Sequence, residues 1–156
     1  MPNWCKGDLK VRGTRENVEK FLLEGLLPVD IFGVSEEKPV VESDDYELAI
    51  KLEKGCFYLK GTRRNFIDAK HISYYFPEDG EASVLVLEDC KGAWAIDVDG
   101  LRSLSEEFGV DFKILGFEKG MQFNQDIEII AGEIVKNEDF EFDDYEWECI
   151  RPHIGG

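Results

Sequence analysis

The sequence has no Cys-x-x-Cys pair, no Walker loop, no Gly-x-Gly-x-x-Gly and no Gly-x-Ser-x-Gly. The compact signatures of zinc clips, dithiol redox sites, nucleotide cradles and nucleophile elbows are therefore missing. Histidine is scarce, with only His71 and His153, and nothing in their spacing builds a zinc site. No apolar run approaches the length of a membrane span, and no membrane association is expected. The opening Met1-Pro2-Asn3-Trp4-Cys5-Lys6 lacks the apolar core of a signal peptide. A cytoplasmic protein with reduced, mostly buried thiols at Cys5, Cys56, Cys90 and Cys149 is the expectation.

Basic residues are also in short supply. Lys and Arg total 18 against 34 Asp and Glu, a formal net charge of -16. Such a surface repels DNA, RNA and anionic membranes at long range and attracts basic partners, including proteins that themselves grip nucleic acid. Direct nucleic-acid binding is not expected. The bland alternative is that the charge only keeps the chain soluble.

What the chain does contain is enough apolar material for one core. It has 156 residues, is 43% hydrophobic and carries eleven Phe. We read residues 1–150 as a single domain and 151–156 as a flexible tail. Residues 3–12 alternate, with Cys5, Gly7, Leu9 and Val11 on one face, as a half-buried strand does. Thr14 follows as a helix N-cap, and Val18, Phe21, Leu22 and Leu26 form an apolar helical stripe ending near Gly25 and Pro28. Residues 28–45 read as an irregular surface excursion.

Lys-Gly punctuation at 54–55, 91–92 and 119–120 predicts three hairpins. Gly61-Thr62-Arg63-Arg64-Asn65 echoes Gly13-Thr14-Arg15-Glu16-Asn17 and predicts a weaker helix from Phe66 to Lys70. Strands are expected over 72–76 and 83–88 around a turn at 77–80, and again at Trp94, Ile96 and Val98. Leu101, Leu104, Ser105 and Phe108 predict a second helix, capped by Asp99 and closed by Gly109. Residues 112–117 and 122–135 read as strands, with a bulge at Gly132.

Seven carboxylates crowd the segment near the end: Glu138, Asp139, Glu141, Asp143, Asp144, Glu146 and Glu148. They alternate with Phe140, Phe142, Tyr145, Trp147 and Cys149, so an extended strand would gather acids on one face and aromatics on the other. These seven acids are the candidate binding residues. Asp97, Asp99, Gly100 and Glu106 match positions three, five, six and twelve of a calcium loop, which makes Asp97, Asp99 and Glu106 the candidate metal ligands. Ala95 stands where the first ligand should be, and capping of a helix explains the segment more simply. A Cys56–His71 nucleophile pair is the remaining catalytic combination, with no motif to support it. No cofactor is expected.

The opening Met1-Pro2-Asn3-Trp4-Cys5 with its strand, Gly13 and amphipathic helix resembles the YubB-like ferredoxin-fold family of phage and plasmid proteins. Residues Phe108–Phe112 and the run Gly116-Phe117-Glu118-Lys119-Gly120-Met121-Gln122-Phe123 are similar to that family's helix, strand and Glu-x-Gly-x-x-Phe turn. The resemblance covers the first 25 residues and roughly 94–145. It implies a mobile-element origin and a ferredoxin-like fold, without catalytic residues to transfer. The fold expectation is thus α+β and ferredoxin-like: a mainly antiparallel sheet, two to three helices on one face, and several hairpins. The functional expectation is a non-enzymatic acidic interaction protein that engages a basic partner. The alternatives are a small enzyme or ligand- or metal-binding protein with an unrecognised pocket, and a structural accessory homo-oligomer.

Overall fold

The computed structural model describes residues 2–78 and 81–156. Within them the order is β1 (Trp4–Gly13), α1 (Arg15–Glu24), β2 (Leu26–Asp30), β3 (Gly33–Val34), β4 (Val40–Ser43), β5 (Glu47–Lys51), β6 (Cys56–Leu59) and β7 (Asn65–Ile67). There follow β8 (His71–Tyr75), β9 (Ser83–Ala93), α2 (Val98–Phe108), β10 (Asp111–Glu118), β11 (Phe123–Ile130), β12 (Glu133–Glu141) and α3 (Tyr145–Glu148). Of the turn expected at 77–80, Asp79 and Gly80 lie outside the described residues.

The architecture corrects the ferredoxin-like expectation. Nine strands form one sheet in the order β12-β11-β10-β1-β9-β7-β6-β2-β3, and β4-β5-β8 form a second. The strand pairs are antiparallel. The helices are three and short. Much of the difference comes from the excursion expected at 28–45, where β2, β3 and β4 run instead, and from Leu26, which opens β2 and does not continue α1. Leu26 and Val29 are buried as β2 pairs along β6. Asn65–Ile67 is likewise a strand and not a helix, because it fills the gap between β6 and β9.

Period-two alternation defines the core face of the large sheet. Leu9 and Val11 of β1, Leu85 and Leu87 of β9, Phe112 and Ile114 of β10, and Ile127 and Ile129 of β11 are all buried on it. Val18, Phe21 and Leu22 of α1, Leu101, Leu104 and Phe108 of α2, and Leu48, Ile50 and Ile72 of the small sheet join them in one cluster. Phe21 is the pivot, with Phe108 and Phe112 edge-on at 5.9 and 5.3 Å. The opposite face of the large sheet carries Lys6, Asp8, Lys10 and Arg12 of β1 toward solvent.

Helix caps are local and strong. Thr14 Oγ1 accepts the Asn17 N–H at 3.2 Å and opens α1. The cap of α2 is Asp97, not Asp99: its Oδ1 accepts the Gly100 N–H at 3.2 Å, and Val98 already belongs to the helix. The expected strand at 94–98 is accordingly a linker. Trp94 takes a left-handed φ of 70°, which ends β9. Buried amides then hold the linker down. Asn65 Oδ1 accepts the Asp97 N–H at 2.8 Å, and Gln125 exchanges two bonds with the Ile96 backbone at 2.9 and 3.0 Å.

Of the three Lys-Gly hairpins, only Lys119-Gly120 joins paired strands, β10 and β11. Buried Glu118 organises this turn by accepting the Gly120 and Met121 N–H groups at 2.6 and 2.9 Å. Lys54-Gly55 connects strands of different sheets, and Lys91-Gly92 lies inside β9. Gly132 is a turn residue instead of a bulge. Ala131 and Gly132, at φ 51° and 75°, join β11 to β12 as the two-residue turn that a twisted hairpin favours.

Candidate functional site

The acidic segment is built on an edge. β12 pairs only with β11, so its other side is unpaired, and eight of its nine residues are exposed while Lys136 is half-buried. The register puts Glu138 opposite Asp126 and Phe140 opposite Asn124, with Asp139 opposite Gln125 and Glu141 opposite Phe123. Glu138 and Phe140 therefore share one face, and Asp139 and Glu141 share the other. The expected split of acids from aromatics does not occur along this strand.

After Glu141 the chain turns inward. The Phe142 N–H donates to the Gln122 carbonyl at 3.0 Å, and Asp144 opens the single turn of α3. Asp144 Oδ1 accepts the Trp147 N–H at 3.4 Å, and Glu148 Oε2 accepts the Asp144 N–H at 2.8 Å. Phe142 and Tyr145 meet edge-on at 5.5 Å, and with Phe117, Cys149 and Ile154 they form a small second core. Tyr145 Oη donates to Asn124 Oδ1 at 2.7 Å. Burial raises the Tyr145 pKa above its ordinary value. Residues 151–156 run back over the sheet, where the Gly156 N–H donates to the Trp4 carbonyl at 3.0 Å.

The aromatics thus divide by depth. Phe142 and Tyr145 anchor the segment, while Trp147 is 86% exposed and Phe140 is 44% exposed beside the acids. All seven carboxylates are exposed. Only Glu146 meets a cation, Lys119 Nζ at 2.6 Å. Among the described residues, the other six have no Lys or Arg partner within ion-pair distance. The neighbouring Lys136 is committed to Asp126 at 2.7 Å, which holds its pKa above the ordinary value. The edge is a concentrated anionic field with aromatic side chains at its surface.

The other candidates are not brought together. Asp97 is buried, and its Oδ2 accepts the Arg63 N–H at 2.8 Å while Oδ1 caps α2. Glu106 lies on α2 beside Arg102 at 3.8 Å. No group of three His, Cys, Asp or Glu side chains converges as a metal site among the described residues. Cys56 is on β6 of the large sheet and His71 on β8 of the small one, where His71 Nε2 lies 3.0 Å from Ser73 Oγ. Desolvation raises the Cys56 pKa, which opposes a thiolate nucleophile. All four cysteines are free thiols, with Cys5, Cys90 and Cys149 buried.

Sequence reading overlooked a second feature, on the open face of the large sheet. Lys6 and Lys10 of β1, Lys113 of β10 and Arg151 line a groove of about 510 Å³. The polar face of the first strand was visible in the alternation, but its cationic neighbours come from the far end of the chain.

No protein-family model, no curated protein and no solved structure matches this chain. No helix among the described residues is long and apolar enough to cross a membrane.

Proposed function

We propose that this is a non-enzymatic interaction protein that engages a basic partner through the edge formed by β12 and α3. The observation that carries the reading is that six of the seven carboxylates, Glu138, Asp139, Glu141, Asp143, Asp144 and Glu148, have no Lys or Arg within ion-pair distance among the described residues. A field of this kind steers a basic partner and sets its orientation. Exposed Trp147 and Phe140 supply the buried aromatic contact that a specific interface needs. The ladder to β11 holds Phe140 and the tethered backbone of α3 holds Trp147, so neither is presented at a large ordering cost.

The partner class is a cationic protein, such as one that grips nucleic-acid phosphates. The four free thiols fit a cytoplasmic setting. The test is binding to a panel of DNA-binding proteins of pI above about 9, measured with and without duplex DNA as competitor. The expected result is selective binding to part of the panel, relieved by DNA. Equal binding to every member, or none, overturns the reading.

A further inference from the structure

The open face of the large sheet inverts the charge of the molecule. Over the whole chain, acids outnumber bases 34 to 18. In the groove between β1, β10 and the C-terminal segment, the charged lining is Lys6, Lys10, Lys113 and Arg151 against Asp8 and Asp89. Four cations line it against two carboxylates, and one of the four, Lys113, is paired with Glu128 just outside the lining.

Two features set this groove apart, one in its charges and one in its backbone. First, Lys10 sits directly opposite Lys113 across the β1–β10 ladder, where like charges destabilise a sheet. Lys113 reaches Glu128 only at 3.8 Å, and Lys6, Lys10 and Arg151 have no ion-pair partner among the described residues. Second, the groove is floored by irregular backbone. The β1–β9 register shifts between Gly7 and Leu9, and Asp89, across that shift, holds a left-handed φ of 59°. A Cβ on Gly7 would overlap the Leu115 carbonyl, so β1 and β10 approach there as only glycine allows. Bulges and strained non-glycine residues recur beside binding sites because they re-aim side chains.

We propose that this groove binds a small molecule carrying a phosphate monoester on an apolar body. A phosphate monoester holds close to two negative charges at neutral pH, which suits a lining with more cations than carboxylates. Lys6 and Lys10, Lys113, and Arg151 line the groove from three separate segments and supply ammonium and guanidinium donors for its oxygens. The remaining walls are apolar: Leu115 is exposed on β10, and Ile150 and Ile154 stand on the C-terminal side. These give the apolar body a surface that a bare phosphate would leave wet. The groove shares Phe117 and Ile154 with the small core beneath α3, but none of the seven edge carboxylates lines it.

The test is a titration of the labelled full-length protein with phenyl phosphate, followed by backbone amide NMR. Saturable shifts at Lys6, Lys10, Lys113 and Arg151 are expected, with phenyl phosphate binding more tightly than inorganic phosphate. Lys10→Gln and Lys113→Gln should each weaken binding about tenfold, while Lys20→Gln on α1, across the sheet, should leave it unchanged. Lys10 has no ion-pair partner among the described residues, so Lys10→Gln only relieves a like-charge contact and its melting temperature without phosphate should not fall. Shifts that do not saturate, that spread over lysines elsewhere, or that survive the Lys10→Gln/Lys113→Gln double change overturn the proposal. Tighter binding of a DNA oligonucleotide than of phenyl phosphate also overturns it.

Discussion

Tyr145 Oη donates to the Asn124 side-chain carbonyl at 2.7 Å, and both residues are buried. The bond joins α3 to β11 and fixes where the acidic segment stands. Tyr145→Phe keeps the ring and its contact with Phe142 but leaves Asn124 Oδ1 with only the long Cys149 Sγ–H contact at 3.7 Å. Stability to urea should fall by about 1–2 kcal/mol. Partner binding should weaken although no charge has changed. An unaltered urea midpoint would show that the segment is held by something else.

Asp97 serves two backbone amides at once, Gly100 at the start of α2 and Arg63 in the connection from β6 to β7. Asp97→Ala should cost about 1–3 kcal/mol, since one amide loses its cap and the other its acceptor. Asp97→Asn keeps a capping oxygen and should cost less. Because both carboxylate oxygens are already engaged, calcium at about 1 mM should leave the melting temperature of the native protein unchanged. A calcium-dependent rise that Asp97→Ala removes would restore the metal reading.

The thiols predict a chemical and a pH signature. Cys56 is half-buried while Cys5, Cys90 and Cys149 are buried, so a thiol reagent should label Cys56 first, and all four only on unfolding. Burial pushes the Cys5 thiol from 9.0 up to about 12. A raised pKa means that the folded state keeps its proton while the unfolded state loses it. The stability this protects is whole below pH about 9 and is lost as pH rises toward about 12. Buried Cys90 adds to the same slope. Calorimetry should show alkaline destabilisation in that window, reduced in Cys5→Ala even though the variant starts from a lower melting temperature.

The β11–β12 turn carries a non-glycine residue, Ala131, at a left-handed φ of 51° ahead of Gly132. Ala131→Asn would create the Asn-Gly pair that this turn type prefers, and should stabilise the protein by a few tenths to about 1 kcal/mol. Thermal denaturation measures it, and a fall in melting temperature would contradict the turn assignment.

These residues also show where sequence reading stops. The strand from Trp4 and the Thr14 cap were legible because their signals are local: alternation in one case, a hydroxyl three residues ahead of a free amide in the other. Ala131-Gly132 lacks the Asn that usually marks a two-residue hairpin, so β11 and β12 merged into one run. Gly92 misled in the opposite direction, since its bare Cα serves a close approach to the Ala95 carbonyl inside β9. Residues 26–43 form β2, which sits between β6 and β3, and the two sheet edges β3 and β4, whose residues are all exposed and so carry no apolar alternation to read. The carboxylates of 138–148 were plain as composition. Their lack of neighbouring cations, and the burial of Tyr145 but not Trp147, are properties of three-dimensional placement. The groove at Lys6, Lys10, Lys113 and Arg151 was least legible, because it assembles from opposite ends of the sequence.

The most direct measurement compares two variants of equal charge against a cationic partner identified in the panel. One carries Glu138→Gln, Asp139→Asn, Glu141→Gln and Asp143→Asn at the edge; the other carries Glu16→Gln, Glu36→Gln, Asp45→Asn and Glu78→Gln elsewhere on the exposed surface. Affinity is followed as salt rises. If β12 and α3 form the contact, the edge variant loses most of the affinity and flattens the salt dependence, while the dispersed variant retains both. Equal loss in the two would show that net charge alone draws the partner, and would contradict the account.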